Sequence, residues 1–106
     1  MKDLKGKVLK LNELIDYQEG SIVSREILRV DTGTITLFAF DAGQGLSEHT
    51  APFDATVYII DGLAEIKIGE DTYILSSGDM IIMPANIPHA VYAKEKFKML
   101  LIMIRK

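Results

Sequence analysis

The residues best suited to chemistry in this chain are its two histidines, His49 and His89. A neutral imidazole presents one lone pair, which ligates a metal or takes a proton near neutral pH. The same ring is equally suited to a single hydrogen bond with a backbone carbonyl, which is how most structural histidines are satisfied. The chain has no cysteine. Disulfides, zinc–thiolate sites, iron–sulfur clusters and thiol nucleophiles are therefore excluded. Met80, Met83, Met99 and Met103 lie in apolar runs. Thioethers beside two imidazoles would suit Cu(I), although methionine in such runs is usually core filler. Tyr58, Tyr73 and Tyr92 are expected on sheet faces with their hydroxyls near water.

The elements that must carry these residues read as strands. Short apolar or alternating runs, rich in β-branched and aromatic residues, are punctuated by turn residues at the spacing of an antiparallel sandwich or barrel. "SREILRV" and "TITLFAF" flank "DTG", "TVYII" and "AEIKI" flank "DGL", and "AEIKI" and "TYILS" flank "GED". Each is expected to be a hairpin, the Asp-Gly pair at Asp61–Gly62 marking a tight turn. Gly69 and Asp71 read as turn residues. "FKMLLIMI", the most apolar run, is expected as a central strand. Pro52, Pro84 and Pro88 fall between runs. Only "NELIDY", Asn12–Tyr17, suggests helix, one or two turns with Asn12 as the cap.

Composition bounds the rest. The 106 residues are 48% hydrophobic with a net charge of −3, which fits one globular domain over 1–106, with 1–20 as an N-terminal extension. The interspersed charges argue against a nucleic-acid binder. The lysine-rich start, "MKDLKGKVLK", reads as a solvated terminal segment. It has no apolar leader, and the longest apolar run, "MLLIMI", is too short to span a membrane. A cytoplasmic protein is expected.

Spacing then becomes informative. Gly43 is followed by five residues and His49, and Gly62 closes that unit, 43–62. Gly78 is followed by five residues and Pro84, then by Pro88 and His89, in a second unit, 78–93. This pair resembles the two motifs of the cupin superfamily, most closely in "SGDMIIMPANIPHAVYA". The resemblance implies an all-β fold, an antiparallel double-stranded β-helix or jelly-roll barrel. It also implies a divalent metal held by two histidines and a glutamate of the first motif and one histidine of the second. His49 and His89 match two of those ligands. Ala51 stands at the second histidine position and Ala55 at the glutamate position. Asn86 and Ala93 replace the glycine and asparagine of the second motif. Glu48 and Asp54 are the nearest acids, and strand alternation points them away from the ligand face unless the loop at Pro52 redirects Asp54.

Two imidazoles supply few donors and no negative charge for a divalent ion. The expected site is a pocket bounded by His49, His89, Ala51 and Ala55, made roomier and more apolar by the two alanines. It is expected to take a small molecule with a carboxylate, hydroxyl or carbonyl aimed at the imidazoles. The alternatives are a metal-dependent enzyme of the dioxygenase, isomerase or decarboxylase type, with Zn, Ni, Fe or Mn on His49 and His89, and a metal-free acid–base enzyme using the same pair. A homodimer is expected, both from the resemblance and because a barrel this short leaves apolar strand faces to cover, those of residues 21–40 above all.

Overall fold

The structure, a computed structural model, describes residues 4–105. Lys2 of the lysine-rich start lies outside them. Among the described residues eight antiparallel strands follow one another: β1 (Ile22–Val30), β2 (Gly33–Phe40), β3 (Gly45–His49), β4 (Ala55–Ile68), β5 (Asp71–Ser76), β6 (Met80–Met83), β7 (His89–Tyr92) and β8 (Phe97–Ile104). The lateral order is β1-β2-β8-β4-β7-β3, with β5 and β6 also paired to β4. The sheet curls into a jelly-roll barrel. Among the described residues no helix is long and apolar enough to cross a membrane.

Two of the three expected hairpins form. β1 meets β2 through a tight turn at Asp31–Thr32, with Val30 opposite Gly33. β4 meets β5 through Gly69–Glu70, with Ile68 opposite Asp71. The Asp61–Gly62 hairpin does not form. That dipeptide lies inside β4, which runs on for 14 residues. Ala55, Val57 and Ile59 are buried before it, and Ala64 and Ile66 after it. The inward face thus changes from odd to even positions, and the β4–β8 register slips between Ile59 and Asp61. A bulge at this point bends the strand, so that its first half pairs with β6 and β8 and its second half with β5 and β7. Gly62 is required there: its φ is +81°, and a Cβ would come within 2.1 Å of the Lys96 carbonyl oxygen.

β8 lies between β2 and β4, as its apolar character implies. Its residues alternate between two layers. Phe97 and Met99 enter the barrel core with Phe40, Val57, Ile59 and Ile66. Phe97 stacks on Phe40 with ring centroids 4.6 Å apart, a contact worth about 1 kcal/mol beyond the area it buries. Leu100 faces the outside, where Leu37 and Ala39 are also fully buried because Leu11, Leu14, Ile15 and Tyr17 cover them. The N-terminal segment therefore forms a third layer over β1, β2 and β8. It does so almost without helix: among its described residues there is a single 3₁₀ turn, Leu11–Glu13. Asn12 does not cap it. The Asn12 carbonyl and side-chain oxygens instead accept hydrogen bonds from Lys98 Nζ at 2.8 and 2.9 Å, and that long-range attachment replaces a local cap.

Candidate functional site

β3 and β7 pair antiparallel, and a bulge between Leu46 and His49 brings His49 directly opposite His89. The two imidazoles, forty residues apart in sequence, stand edge to face with centroids 4.4 Å apart. His89 is buried and His49 is exposed, so one ring lies inside the barrel wall and the other at its mouth. Each ring is held the same way. His49 Nδ1 lies 2.8 Å from the Ser47 carbonyl oxygen and His89 Nδ1 lies 3.3 Å from that of Ile87. A carbonyl only accepts, so each Nδ1 carries the proton and donates. Each Nε2 is left with a free lone pair. Burial pushes the His89 pKa below the usual 6.5, the Ile87 carbonyl opposes this, and His49 pushes in the same direction as burial. His89 is therefore neutral at pH 7.

Both rings line one cavity of about 70 Å³ with Leu46, Ala51, Ala55, Met83, Val91, Met99, Leu101 and Met103. The structure thus brings all four sequence-derived positions, His49, His89, Ala51 and Ala55, to one place. The imidazoles are the only polar side chains in that lining. The cavity is smaller than the two alanines suggest, and the reason lies in the sheet. Ala55 of β4 is opposite Met83 of β6 on one side and Met103 of β8 on the other, and both methionines line the cavity. Composition alone could not sort the methionines. Met80, three residues before Met83 on β6, lies on the opposite face and is exposed.

The acids stay away from the pair. Asp54 Oδ1 accepts the Ala85 N–H at 2.8 Å, bracing the β6–β7 loop, and its side chain opens onto a different surface with Thr56, Ile82, Ile102 and Ile104. Glu48 pairs with Lys67 at 3.5 Å. Among the described residues no three of His, Asp or Glu gather as a metal-binding group. The donors present do not fit the divalent ion that the cupin resemblance implies: two imidazoles bordering an apolar cavity bring no negative charge to offset its desolvation.

The motif positions that are not ligands position the loops. Asn86 adopts φ +65°, the left-handed conformation that a glycine supplies at low cost and that asparagine tolerates better than most residues. Its N–H donates to the Ala51 carbonyl at 2.7 Å, which ties the β6–β7 loop to the segment after His49. Gly43 N–H donates to Ala93 O at 2.6 Å and Ala93 N–H to Gln44 O at 2.8 Å, so the start of the first motif is joined to the end of the second. Main-chain bonds, indifferent to the side chain at 93, make that junction.

Comparison with known proteins agrees with this architecture. The Cupin domain family model matches residues 36–105. The conserved SPY1581 protein of unknown function from Streptococcus pyogenes is 40% identical, with a TM-score of 0.92 over 99% of this chain and 93% of that one. A cupin superfamily protein from Desulfitobacterium hafniense is 31% identical, with a TM-score of 0.91 over 99% of this chain and 97% of that one. The uncharacterized protein SCO3923 of Streptomyces coelicolor is 28% identical over 64 residues, and the match spans 60% of this chain and 61% of that relative. Matched by the domain model over most of its length and by a cupin superfamily structure over nearly all of it, the chain belongs to the cupin family.

Proposed function

We propose that this cupin binds a small, largely apolar molecule through a hydrogen-bond donor group, in the cavity between β3, β4, β6, β7 and β8. One observation carries the reading: Nδ1 of each imidazole is committed to a backbone carbonyl, so two acceptor lone pairs border an otherwise apolar cavity. Neutral imidazoles in this tautomer accept from an O–H or N–H. They do not pair with an ionised carboxylate, which narrows the ligand to an alcohol, an amine or an undissociated acid. Size narrows it further. A water needs roughly 10–15 Å³ of such space, and a cavity that takes benzene measures about 150 Å³. The occupant is smaller than benzene, a molecule of a few heavy atoms.

Imidazole ¹⁵N chemical shifts of His49 and His89 test this directly during titration with a short-chain alcohol and with the carboxylate of the same length at pH 7.5. The alcohol is expected to shift both Nε2 signals and the carboxylate to leave them in place. Equal responses, or none, would sink the reading. A cytoplasmic homodimer is part of the same proposal. The outer face of β2 is already covered by the N-terminal layer, which moves the expected contact toward the free edge of β1 and the exposed Val30 and Ile104. Light scattering at micromolar concentration checks it, and a monomer would remove this part.

A further inference from the structure

We propose that the preferred occupant of this cavity is a short aliphatic vicinal diol, with one hydroxyl donating to Nε2 of His89, the other to Nε2 of His49, and the alkyl end against the apolar lining. The inference rests on the alcohol-binding reading of the same cavity and narrows it to one ligand class.

The balance of donors and acceptors comes first. Both Nδ1–H groups are spent on the Ser47 and Ile87 carbonyls, and every other lining side chain is aliphatic or a thioether. The cavity therefore offers two acceptors and no side-chain donor. A carbonyl oxygen brought in by a ligand would lose its water and gain no partner. That disfavours aldehydes, ketones, esters, amides and undissociated carboxylic acids. A ligand with a single hydroxyl serves the two rings only in turn, and leaves one lone pair unmatched once water has been displaced. A primary amine has two N–H donors, but near neutral pH it is protonated, and the lining has no negative charge to offset that cation. Two uncharged hydroxyls match the two acceptors.

Spacing and volume agree with that match. His49 and His89 are direct cross-strand partners with ring centroids 4.4 Å apart. Hydroxyls on adjacent carbons stand about one hydrogen-bond length apart, roughly 3 Å, so a single small molecule brings one donor to each ring. The cavity measures about 70 Å³. Set against the space of about 150 Å³ that takes benzene, this admits a diol of about two or three carbons. The two rings are also inequivalent, since His89 is buried and His49 is exposed. A diol with one methyl thus makes three different contacts: a hydroxyl at the buried ring, a hydroxyl at the exposed ring and a methyl on the apolar wall. Three different contacts distinguish its enantiomers.

The test is a titration of the intact protein at pH 7.5 with propan-1-ol, propan-2-ol, propane-1,2-diol and hydroxyacetone, molecules of nearly one size. Affinities are read from the imidazole ¹⁵N shifts of His49 and His89. The diol is expected to bind about tenfold more tightly than either propanol, and at least as far ahead of hydroxyacetone, which exchanges one hydroxyl for a carbonyl. Its two enantiomers should differ severalfold. In His49→Ala, with the fold checked by circular dichroism, the advantage of the diol over the propanols should fall to near unity. Propanols that shift the Nε2 signals while the diol binds no more tightly overturn the inference and leave the alcohol-binding reading standing. An absence of Nε2 response to all of these molecules removes the reading and the inference together. Hydroxyacetone that matches the diol overturns the donor–acceptor balance. A diol advantage that survives His49→Ala puts the second hydroxyl elsewhere and also overturns the inference.

Discussion

Two polar clusters sit on opposite sides of the same strand, β8, and they are built in opposite ways. On the outer side, the bonded polar groups join the N-terminal layer to the barrel. Lys98 Nζ donates twice to Asn12 and lies 5.0 Å from the centre of the Tyr17 ring, with Lys96 at 4.8 Å. The Tyr17 hydroxyl donates to Asp61 at 2.5 Å, and Arg25 donates to the Leu14 carbonyl at 3.0 Å. Burial, followed by the bond to Asp61, raises the Tyr17 pKa well above the ordinary tyrosine value. On the inner side, His49 and His89 spend one nitrogen each on the backbone and keep the other. A cluster whose donors and acceptors are all matched within the chain holds structure. One left with lone pairs beside a cavity is equipped to hold something else.

The sharpest way to break this contrast is to complete the inner cluster. Ala51→His with Ala55→Glu would supply three imidazoles and a carboxylate. Affinity for Zn, Ni, Fe or Mn should rise by roughly three orders of magnitude or more over the parent, measured by competitive metal titration, and His89→Ala in that background should lower it again. Because residue 55 is buried between two methionines, the double variant should also lose about 1–3 kcal/mol of stability without metal. Parent-like metal affinity would mean that positions 51 and 55 do not face the imidazoles.

A smaller effect is expected from opening the outer cluster. Lys98→Ala removes two charge-assisted hydrogen bonds from a buried position and leaves the Asn12 oxygens unpaired. It should cost about 3 kcal/mol by denaturant unfolding while leaving alcohol binding at the parent level. Weakened binding would show that the two sides of β8 are coupled. Smaller again, Asn86→Ala places a side chain without a local polar group at φ +65° and should cost about 1 kcal/mol, with Asn86→Gly neutral or slightly stabilising. An equal cost for both would point to the asparagine side chain and not to its backbone.

The last effect is one of pH. The pKa of His89 is lower folded than unfolded, where it is near 6.5, so below that value the unfolded chain binds more protons. The contribution of a neutral buried His89 is complete above the unfolded pKa and is lost as pH falls toward the folded one. Thermal stability should therefore fall as pH is lowered from 7 to 5, and His89→Asn should flatten that part of the profile. An unchanged slope would mean that the ring is hydrated in the folded state.

What the sequence determined by itself is what depends on local pattern and spacing. The alternating runs and the Asp-Thr-Gly and Gly-Glu-Asp turns specify strands and two hairpins because side-chain period and turn conformation are properties of a few adjacent residues. The resemblance to the cupin motifs, and nothing local, implied that His49 and His89 would stand together and marked 51 and 55 as alanines where ligands would stand; the pairing of β3 with β7 sets the two rings opposite each other. The tertiary structure decided the rest. Asp61–Gly62 carries the same turn chemistry as a hairpin, but β6 and β8 pair with β4 before it and β5 and β7 after it, so the chain bulges and continues. Asn12 looks like a helix cap, but Lys98, 86 residues away, claims its oxygens. Met80 and Met83 are chemically identical; alternation along β6 puts them on opposite faces, and the curl of the sheet decides which lies in solvent and which beside the imidazoles. Contacts between distant segments carry no local signature, and they form only when the packing of the whole barrel brings their residues together.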